Sequence, residues 1–582
     1  MRRFLLAGAA TAVTLATVGV AGATSGDPLV TVGSPSTTFA QNKQNEPAVA
    51  IDPANPDIVV AGANDEIDLE ACNAGNPKTC PFTAGVGLSG VYFSFDGGSN
   101  WTQPTYTGWT ARDCLGPAAC SPHVGSIGTL PKYYENGLVS DGDPAVAFGP
   151  RRGANGTFSW ANGSRLYYAN LTSNFGATRS EAVFKGFEAI AVSRTDDVQA
   201  AAANDKDAWM KPVIVTKQNA ALFSDHEMIA VDDAANSPFF GNVYVCSAAF
   251  RSQEISPAAL PEPIVLSASS DGGNTWTTTQ VSAAFNNIAV SGRQDCQVNT
   301  DSKGGVYVFW QGTDPKTNRD AVFMVRSFDG GKHFERPPRI VTYFETAGLT
   351  DGLAFDGVAG ARDGSFPTVD IANGAPTGAD ATDEIVLGIT QGPTHAGSGP
   401  NETVRILYSL NRGSTWTEAD HASPGTDRPD FPAVAISPDG TDIYLTYMNF
   451  LQPWQSTTAS PRLMQGVVRH ADVAANGSIG AWGDLIRGAI GDARGSSANG
   501  LTTEFLGDYD FAAATRDAVV AVWNDVRDAA DCPAIDSYRQ EVVDGTQAGL
   551  PSDSDRPAPN TDCPATFGNT DIWAGSVSDP TP

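Results

Sequence analysis

Short stretches in which apolar and polar residues alternate recur seven times along the chain, and each precedes a second, strongly β-prone run. Alternation with a period of two is typical of strands that bury one face. The stretches begin at Glu46, Asp143, Asp225, Asp295, Phe366, Phe431 and Asp508. Their starts are roughly 65 to 100 residues apart, which suits a four-stranded unit that carries loops. The pattern therefore predicts seven β-units, each opening with two adjacent strands, A and B.

A second pattern, S-x-D-x-G-x-x-W, occurs four times between these strand pairs. It occupies residues 94–101, 269–276, 327–334 (with Phe334 for Trp) and 409–416 (with Asn411 for Asp). An Asp or Asn side chain can accept hydrogen bonds from backbone N–H groups further along a turn, and glycine supplies a positive φ without a Cβ penalty. The aromatic residue can bury itself between neighbouring sheets. Each copy therefore predicts a hairpin of two outer strands, C and D, with a structural role.

These four turns resemble the Asp box, or bacterial neuraminidase repeat, of the sialidase superfamily of β-propellers. The resemblance implies an all-β propeller of four-stranded antiparallel blades with Asp-box turns. Seven repeats favour seven blades, whereas sialidases have six, and six blades with one misread unit is the alternative. The seventh unit lacks an outer strand, and residues 29–39 are expected to supply it. Asp boxes also occur in propellers without catalysis, so the motif implies architecture and not activity.

The first 23 residues have the features of a secretory signal peptide. Arg2 and Arg3 precede an apolar stretch, and residues 21–23, Ala-Gly-Ala, form an A-x-A cleavage site. No later run reaches the ~20 apolar residues that a membrane span needs. The sequence thus predicts a signal peptide at 1–23, one propeller domain at 24–582 with long loops on one rim, and a secreted, extracellular, monomeric protein.

The chain carries 36 basic and 65 acidic residues, and without the signal peptide its formal charge is −31. Such a surface repels nucleic acid and anionic membranes. Eight cysteines in an exported chain predict four disulfides. Proximity in sequence pairs Cys72 with Cys80, Cys114 with Cys120, Cys246 with Cys296, and Cys532 with Cys563.

The strand order predicts which rim carries function. The A strands start at one rim, here named the A-start rim, and the Asp boxes lie at the opposite Asp-box rim. The long connections between strands fall at the A-start rim, and long loops on a rigid scaffold commonly carry sites. The sequence places there Glu46, Asn64, Asp65, Asp143, Asp225, Glu227, Asp295, Asp430, Asp508, Asn524, Asp525 and Arg527. Such carboxylates can serve as general acid and base or bind Ca²⁺, although no cofactor is required.

The resemblance implies a more specific site. Sialidases hold a substrate carboxylate with three arginines, for which Arg293, Arg362, Arg428 and Arg527 are the candidates here. They also use a Tyr nucleophile with a Glu and an acidic Asp, for which Tyr509, Glu504, Asp65 and Asp143 are the candidates. The superfamily's N-terminal F-R-I-P signature is absent, and Asn45-Glu46-Pro47 stands in its place. This departure puts sialic acid itself in doubt as the substrate.

The leading functional hypothesis is a secreted, sialidase-like propeller that acts on a glycan or glycoconjugate as an exo-glycosidase of the exo-α-sialidase type. The first alternative is a non-catalytic propeller that binds carbohydrate or protein. The second is another polysaccharide-degrading enzyme on the same scaffold, because function lies in the site and not in the fold.

Overall fold

The computed structural model describes residues 27–32, 43–175, 184, 186–216, 221–251, 262–284, 293–346, 365–392, 402–419, 422–453, 457–543 and 556–581. Three predicted features lie outside these ranges: the signal peptide, residues 33–39 of the expected outer strand, and Arg362. The backbone of Arg293 is described, but its side chain is not.

Almost all regular structure in the described residues is β-strand. The strands are β1 (Gln44–Ile51), β2 (Val59–Asp65), β3 (Ser89–Ser94), β4 (Tyr106–Thr110), β5 (His123–Ile127), β6 (Leu138–Ser140), β7 (Ala145–Arg152), β8 (Phe158–Asn174), β9 (Ala189–Thr195), β10 (Val213–Ile214), β11 (Leu222–Val231), β12 (Val243–Arg251), β13 (Ile264–Ser269), β14 (Thr277–Gln280), β15 (Arg293–Thr300), β16 (Val306–Asp314), β17 (Arg319–Ser327), β18 (Arg339–Tyr343), β19 (Thr368–Ile371), β20 (Ile385–Gln391), β21 (Thr403–Ser409), β22 (Thr417–Ala419), β23 (Pro429–Ile436), β24 (Asp442–Phe450), β25 (Leu463–Asp472), β26 (Gly483–Arg487), β27 (Gly491–Asp492), β28 (Phe511–Ala514), β29 (Ala518–Asp525) and β30 (Asp571–Ser578). The helices are α1 (Val198–Ala202), α2 (Pro533–Val543) and α3 (Pro559–Asp562), with single 3-10 turns at Glu66–Asp68, Tyr134–Asn136, Lys206–Ala208 and Ala493–Gly495.

Seven antiparallel sheets form the blades of a closed propeller, as predicted. The inner A strands of blades 1 to 7 are β1, β7, β11, β15, β19, β23 and β28, and each is followed in its sheet by its B and C strands. Each A strand packs against the A strand of the next blade, and β28 packs against β1. This last contact closes the ring, so the seven-blade prediction is confirmed and the six-blade alternative is wrong.

The N-terminal segment completes blade 7. Leu29 forms an antiparallel bridge with Trp573 of β30, the N–H of Val30 donates to the Ile572 carbonyl at 2.9 Å, and the N–H of Ala574 donates to the Pro28 carbonyl at 3.0 Å. The predicted outer strand over residues 29–39 is therefore observed at its start, and residues 33–39 lie outside the described ranges.

All four Asp-box turns share the hydrogen bonds of their serine. In the first, the Ser94 hydroxyl donates to Asp96 at 2.9 Å, the N–H of Gly98 donates to the Ser94 hydroxyl at 2.9 Å, and the Trp101 indole donates to the Gly98 carbonyl at 3.0 Å. The serine bonds recur in the boxes that begin at Ser269, Ser327 and Ser409. The residue types that define the motif therefore make the turn itself.

Asp boxes also contact their own blade and the preceding blade. The N–H of Gly97 donates to the Asp57 carbonyl at 3.0 Å, in the A–B turn of blade 1, which places the box at the rim opposite the A-strand starts. The Ser576 hydroxyl of blade 7 donates to the Gly97 carbonyl at 2.6 Å, and Arg194 of blade 2 donates to Asn274 in the box of blade 3 at 2.8 Å. The boxes thus link neighbouring blades.

The four predicted disulfides are all present. The bridge between Cys246 of β12 and Cys296 of β15 joins the inner strands of blades 3 and 4, and both residues are buried. Cys72, Cys80 and Cys532 lie in one apolar cluster with Ile535 of α2, so the loops of blades 1 and 7 pack together. Within the described residues, no helix is long and apolar enough to span a membrane.

Candidate functional site

A repeated backbone feature occurs near the start of the A strand in several blades. Glu46, Asp143, His226, Asp295 and Phe431 all have φ between 50° and 57°, a region that non-glycine residues rarely adopt. In blades 1, 3, 4 and 6 the register with the B strand shifts at this point, as in a β-bulge. Bulges re-aim side chains and are frequent next to active sites.

The equivalent positions of the seven repeats form a ring with two different halves. Blades 1 to 4 contribute the polar residues Glu46, Asp143, His226 and Asp295, and blades 5 to 7 contribute the aromatic residues Phe366, Phe431 and Tyr509. The ring centres of Phe366 and Tyr509 are 5.3 Å apart, and both residues are buried. Aromatic rings therefore pack one half of the ring, while carboxylates and an imidazole occupy the other.

His226 is the centre of this arrangement. Its Nδ1 lies 3.1 Å from Asp295 of blade 4, and its Nε2 lies 3.8 Å from Asp225 of its own blade and 3.7 Å from Asp508 of blade 7. Burial alone would lower the pKa of His226, but the surrounding carboxylates outweigh it and raise that pKa to about 9. The imidazole is therefore a cation at neutral pH and bridges three carboxylates.

The carboxylates nearest the solvent form pairs. Asp225 and Asp143 share a hydrogen bond, and burial, together with the charges of Asp143 and Asp508, raises the pKa of Asp225 to about 7 against the opposing effect of His226. Burial and the charges of Asp141, Asp143 and Asp225 raise the pKa of Glu188 to about 10. These groups are half-buried at the rim, with 19 % of the Asp225 side chain and 13 % of the Asp508 side chain exposed.

Glu227 follows His226 in β11 and is almost fully buried, with 1 % exposed. Burial, followed by the charge of Asp143, raises the pKa of Glu227 well above its usual range, which favours its neutral form. Burial, followed by the charges of Asp143, Glu46 and Glu227, raises the pKa of Tyr509. Both groups are more deeply buried than Asp225 and Asp508.

A cavity lies on the other side of this ring. A cavity of about 710 Å³ extends from the Asp-box rim along the A strands, whose small residues, such as Ala48, Ala147 and Ala230, line it. Asp57 and Asp96 stand at its mouth. This cavity and the interacting carboxylates thus lie at opposite ends of the channel. The acid–base groups, and not the volume, single out the A-start rim as the candidate site.

The structure places the predicted catalytic residues in different surroundings. Asp143 belongs to the carboxylate pairs just described. Asp65 is fully buried and accepts hydrogen bonds from the Tyr92 hydroxyl at 2.7 Å and from Gln103 at 2.7 Å. Glu504 accepts a hydrogen bond at 3.0 Å from Arg539, and both side chains are fully buried. Asp65 and Glu504 are therefore engaged in structural contacts.

The two predicted arginines whose side chains are described, Arg428 and Arg527, are also engaged in structural contacts. Arg428 pairs with Glu402 at 2.9 Å, and both are buried. Arg527 pairs with Asp525 and Asp27, both at 2.7 Å, and lies over the Trp573 ring at 3.8 Å. Each arginine thus has its own carboxylate partners, and the structure does not bring the two to a common substrate site. The predicted cluster of three arginines is not tested at Arg293 and Arg362.

Sequence reasoning missed two contributors to the site, Glu188 and Asp141. They precede β9 and β7, two strands of blade 2, and nothing in the local sequence distinguishes them from other strand-entry residues. The sequence alone also gives His226 little weight, because a single histidine among acidic neighbours is a weak sign of a functional site. Aligning the seven A strands by their common position would have placed His226 in the ring with Glu46, Asp143 and Asp295.

The acidic loop at 314–320 is held by hydrogen bonds within the chain. Asp314 accepts hydrogen bonds from the backbone N–H of Lys316 at 3.1 Å, from the Thr317 hydroxyl at 2.7 Å and from the Tyr343 hydroxyl at 3.0 Å. These bonds occupy the carboxylate with its own turn and the neighbouring strand. Asp314 therefore stabilises this loop.

Comparisons with known proteins give distant structural matches only. No model of a protein family matches the chain, and no curated protein sequence does. Matching solved structures include a protein of unknown function from Dyadobacter fermentans (13 % identity, 73 % of this chain and 93 % of that one, TM-score 0.36), an alpha-L-arabinanase from Penicillium chrysogenum (10 %, 72 % and 93 %, 0.38) and a leech intramolecular trans-sialidase (12 %, 72 % and 67 %, 0.37). At these values the likenesses carry no argument, and the fold assignment rests on the strand pairing described above.

Proposed function

We propose that the protein is a glycoside hydrolase that acts on neutral glycans at the A-start rim. The observation that carries the proposal is the placement of two partly buried carboxyl groups, Asp225 and Asp508, against the same Nε2 atom of the His226 imidazole. Glycoside hydrolases commonly use two carboxyl groups that flank the scissile bond, one as an acid and one as a carboxylate.

Asp225 is the proposed general acid. A group that donates a proton in the transition state works best when its pKa lies near the operating pH, and the pKa of Asp225 is about 7. Asp143 contributes to this value because its negative charge and its hydrogen bond disfavour ionisation of Asp225. Asp143 is thus a positioning and tuning residue beside the acid.

Asp508 is the proposed base or nucleophile. The cationic His226 lies 3.7 Å from it, and a nearby positive charge favours the ionised form of a carboxyl group. The oxygens of Asp225 and Asp508 that contact His226 are at most about 7.5 Å apart, since each lies within 3.8 Å of the same nitrogen. This upper limit allows either a retaining or an inverting mechanism of glycoside hydrolysis.

The charge around the site favours a neutral substrate over a sialic acid. In the described residues, the charged groups that act most strongly on Asp225, His226 and Glu188 are carboxyl groups and His226 itself, with no Arg or Lys among them. An anionic sugar would meet repulsion there, whereas sugar hydroxyls can donate hydrogen bonds to carboxylates. The proposal therefore departs from the sialidase-type activity that the motif resemblance implies.

Hydrolysis of a substrate panel tests this proposal. The panel contains aryl glycosides of neutral pentoses and hexoses, the aryl sialoside, and neutral polysaccharides assayed by release of reducing ends. We expect cleavage of at least one neutral substrate and none of the sialoside. Cleavage of the sialoside alone would contradict the substrate class. No cleavage by folded protein would favour a binding propeller, for which the 710 Å³ cavity at the Asp-box rim is the natural site.

The pH profile of an Asp143→Asn variant tests the role of Asp225. Activity of the wild type is expected to fall as the pH rises through about 7, because Asp225 then loses its proton. Removing the charge of Asp143 makes ionisation of Asp225 easier, so this alkaline limb of kcat/KM should move to lower pH. Asp57→Asn, an exposed change at the Asp-box rim, should leave the limb in place. If kcat/KM of Asp143→Asn fell at the same pH as that of the wild type, Asp225 would be excluded as the group whose ionisation causes the fall.

A further inference from the structure

Three buried side chains converge where blades 6 and 7 meet at the Asp-box rim. The Nε2 atom of His470 lies 2.9 Å from Asp442 Oδ1 and 3.7 Å from Asp579 Oδ1. One ligand atom from each of the three residues lies within 4.8 Å of the other two. A fourth carboxylate, Asp472, is 3.9 Å from the same nitrogen and largely exposed. In the described part of the chain, this is the only group of His, Cys, Asp or Glu side chains that meets so closely.

The propeller topology produces this cluster from distant parts of the sequence. Asp442 opens β24 and pairs in register with Asp472 of β25, and His470 pairs with Tyr444. Asp579 follows β30, and its N–H donates to the Asp517 carbonyl at 2.8 Å. The cluster therefore joins blade 6 to the segment that follows the last strand of blade 7.

An unpartnered hydroxyl points to a missing ligand. Tyr444 is fully buried, its ring centre lies 5.1 Å from that of His470, and its hydroxyl has no hydrogen-bond partner among the described residues. The charged groups that act most strongly on it are the carboxylates Asp442, Asp579, Asp439 and Asp517. Buried hydroxyls are normally hydrogen-bonded, so an orphan beside clustered carboxylates calls for an explanation.

Two corresponding tyrosines in other blades have cations nearby, and a third, Tyr244 of blade 3, accepts a hydrogen bond from the Asn242 amide at 3.2 Å. Tyr307 of blade 4 donates to Asp301 at 2.7 Å, and Asp301 pairs with Arg412 of the next blade at 3.4 Å. Tyr167 of blade 2 has Arg165 and Arg194 among the charges that act on it. At Tyr444 the strongest neighbouring charges are all negative. The junction of blades 6 and 7 thus has carboxylates beside its buried tyrosine, as blade 4 has. No arginine is among the charges that act most strongly on that tyrosine.

We propose that Asp442, His470 and Asp579 bind a divalent metal ion that links blades 6 and 7, with Asp472 or water completing the coordination. One imidazole nitrogen with carboxylate oxygens suits Zn²⁺ best, and Mn²⁺ next, whereas Ca²⁺ prefers oxygen ligands alone. Metal–ligand distances of about 2.0 to 2.2 Å place tetrahedral ligands about 3.3 Å apart. The observed separations of 2.9 and 3.7 Å bracket that value.

Neighbouring hydrogen-bond donors already orient these ligands. The Thr441 hydroxyl donates to Asp442 Oδ2 at 2.6 Å, and the N–H of Thr581 donates to Asp579 Oδ1 at 2.9 Å. Such outer contacts fix the direction of ligand oxygens in metal sites. Because an ion that binds only the folded state stabilises it by mass action, the site should raise the thermal stability of the propeller.

Metal binding by the full chain tests the proposal. Protein stripped with a chelator is titrated with Zn²⁺, Mn²⁺ and Ca²⁺ separately, bound metal is counted by elemental analysis, and Tm is recorded with and without each ion. We expect one equivalent of Zn²⁺ per chain, weaker Mn²⁺, no Ca²⁺ at this site, and a higher Tm with Zn²⁺. His470→Gln should lower Zn²⁺ affinity by more than about 100-fold.

Two further variants keep the test independent of folding defects. Asp472→Asn alters a largely exposed residue and should fold normally while lowering Zn²⁺ affinity by roughly tenfold. His333→Gln removes an exposed histidine that also contacts an Asp, at 2.6 Å, and should bind Zn²⁺ as the wild type does. No stoichiometric Zn²⁺ or Mn²⁺ in folded protein would overturn the proposal and leave only the contacts between His470 and its carboxylate neighbours. Equal Zn²⁺ binding by His470→Gln would overturn it as well.

Discussion

Replacing Asp225 with Asn is expected to lower kcat for oligosaccharides and alkyl glycosides by about 10²- to 10⁴-fold. These substrates have poor leaving groups, which need a proton as the glycosidic bond breaks. Asn keeps the size of the side chain and a hydrogen bond to Asp143, but it has no proton to donate. An aryl glycoside whose leaving group is a strongly acidic phenol needs little protonation and should lose far less activity.

This dependence on the leaving group separates an acid from a structural residue. A variant that merely disturbed the site would lose activity equally with every leaving group, and that result would contradict the proposed role of Asp225. Asp508→Asn is the matched comparison, because loss of a base or nucleophile should slow good and poor leaving groups alike. Asp57→Asn, at the opposite rim, should retain wild-type kinetics with both.

Replacing Arg539 with Met is expected to lower the free energy of unfolding by about 3 to 5 kcal/mol. Arg539 is fully buried in α2 and donates to Glu504 at 3.0 Å, to the Ser496 carbonyl at 2.9 Å and to the Thr503 carbonyl at 3.0 Å. Met fills similar space but leaves a buried carboxylate without its cation and two carbonyls without this donor. Chemical denaturation of both proteins measures the difference.

The exposed ion pair between Arg516 and Asp380 provides the control. These side chains are 32 % and 47 % exposed and 2.8 Å apart, and pairs of this kind typically contribute about 1 kcal/mol or less. Arg516→Met should therefore change stability little. Adding Glu504→Gln to Arg539→Met should restore part of the lost stability, because the uncompensated charge is then gone. Equal, small losses for Arg539→Met and Arg516→Met would show that the buried pair does not hold α2 in place.

Much of the fold can be predicted because its signals are local. The serine, aspartate and glycine of each Asp box make the hydrogen bonds of their own turn, so four outer hairpins follow from eight-residue segments. The alternation in the A strands is also local, and it predicts seven blades. The pairing of Leu29 with Trp573 follows from the missing outer strand of blade 7.

The site is less predictable because it depends on ring closure. Asp508 meets His226 only because blades 3 and 7 face each other across the channel, and no sequence spacing encodes that distance. The arginines show the opposite case, in which residues expected to meet do not. Arg428 and Arg527 lie near the expected rim but pair with Glu402 and Asp525. Partners for a long charged side chain are set by tertiary packing, which residue type alone does not reveal.

The central claim is that substrate binds at the A-start rim, and hydrogen exchange with a bound oligosaccharide tests it most directly. The Asp225→Asn protein is saturated with the best neutral substrate from the panel, and amide exchange is compared with and without it. Protection is predicted in peptides that cover 141–148, 222–231 and 506–511, which carry Asp143, His226 and Asp508. Protection confined to residues 53–57, 94–101 and 514–518, at the mouth of the Asp-box cavity, would contradict the account and assign the site to the other end of the channel.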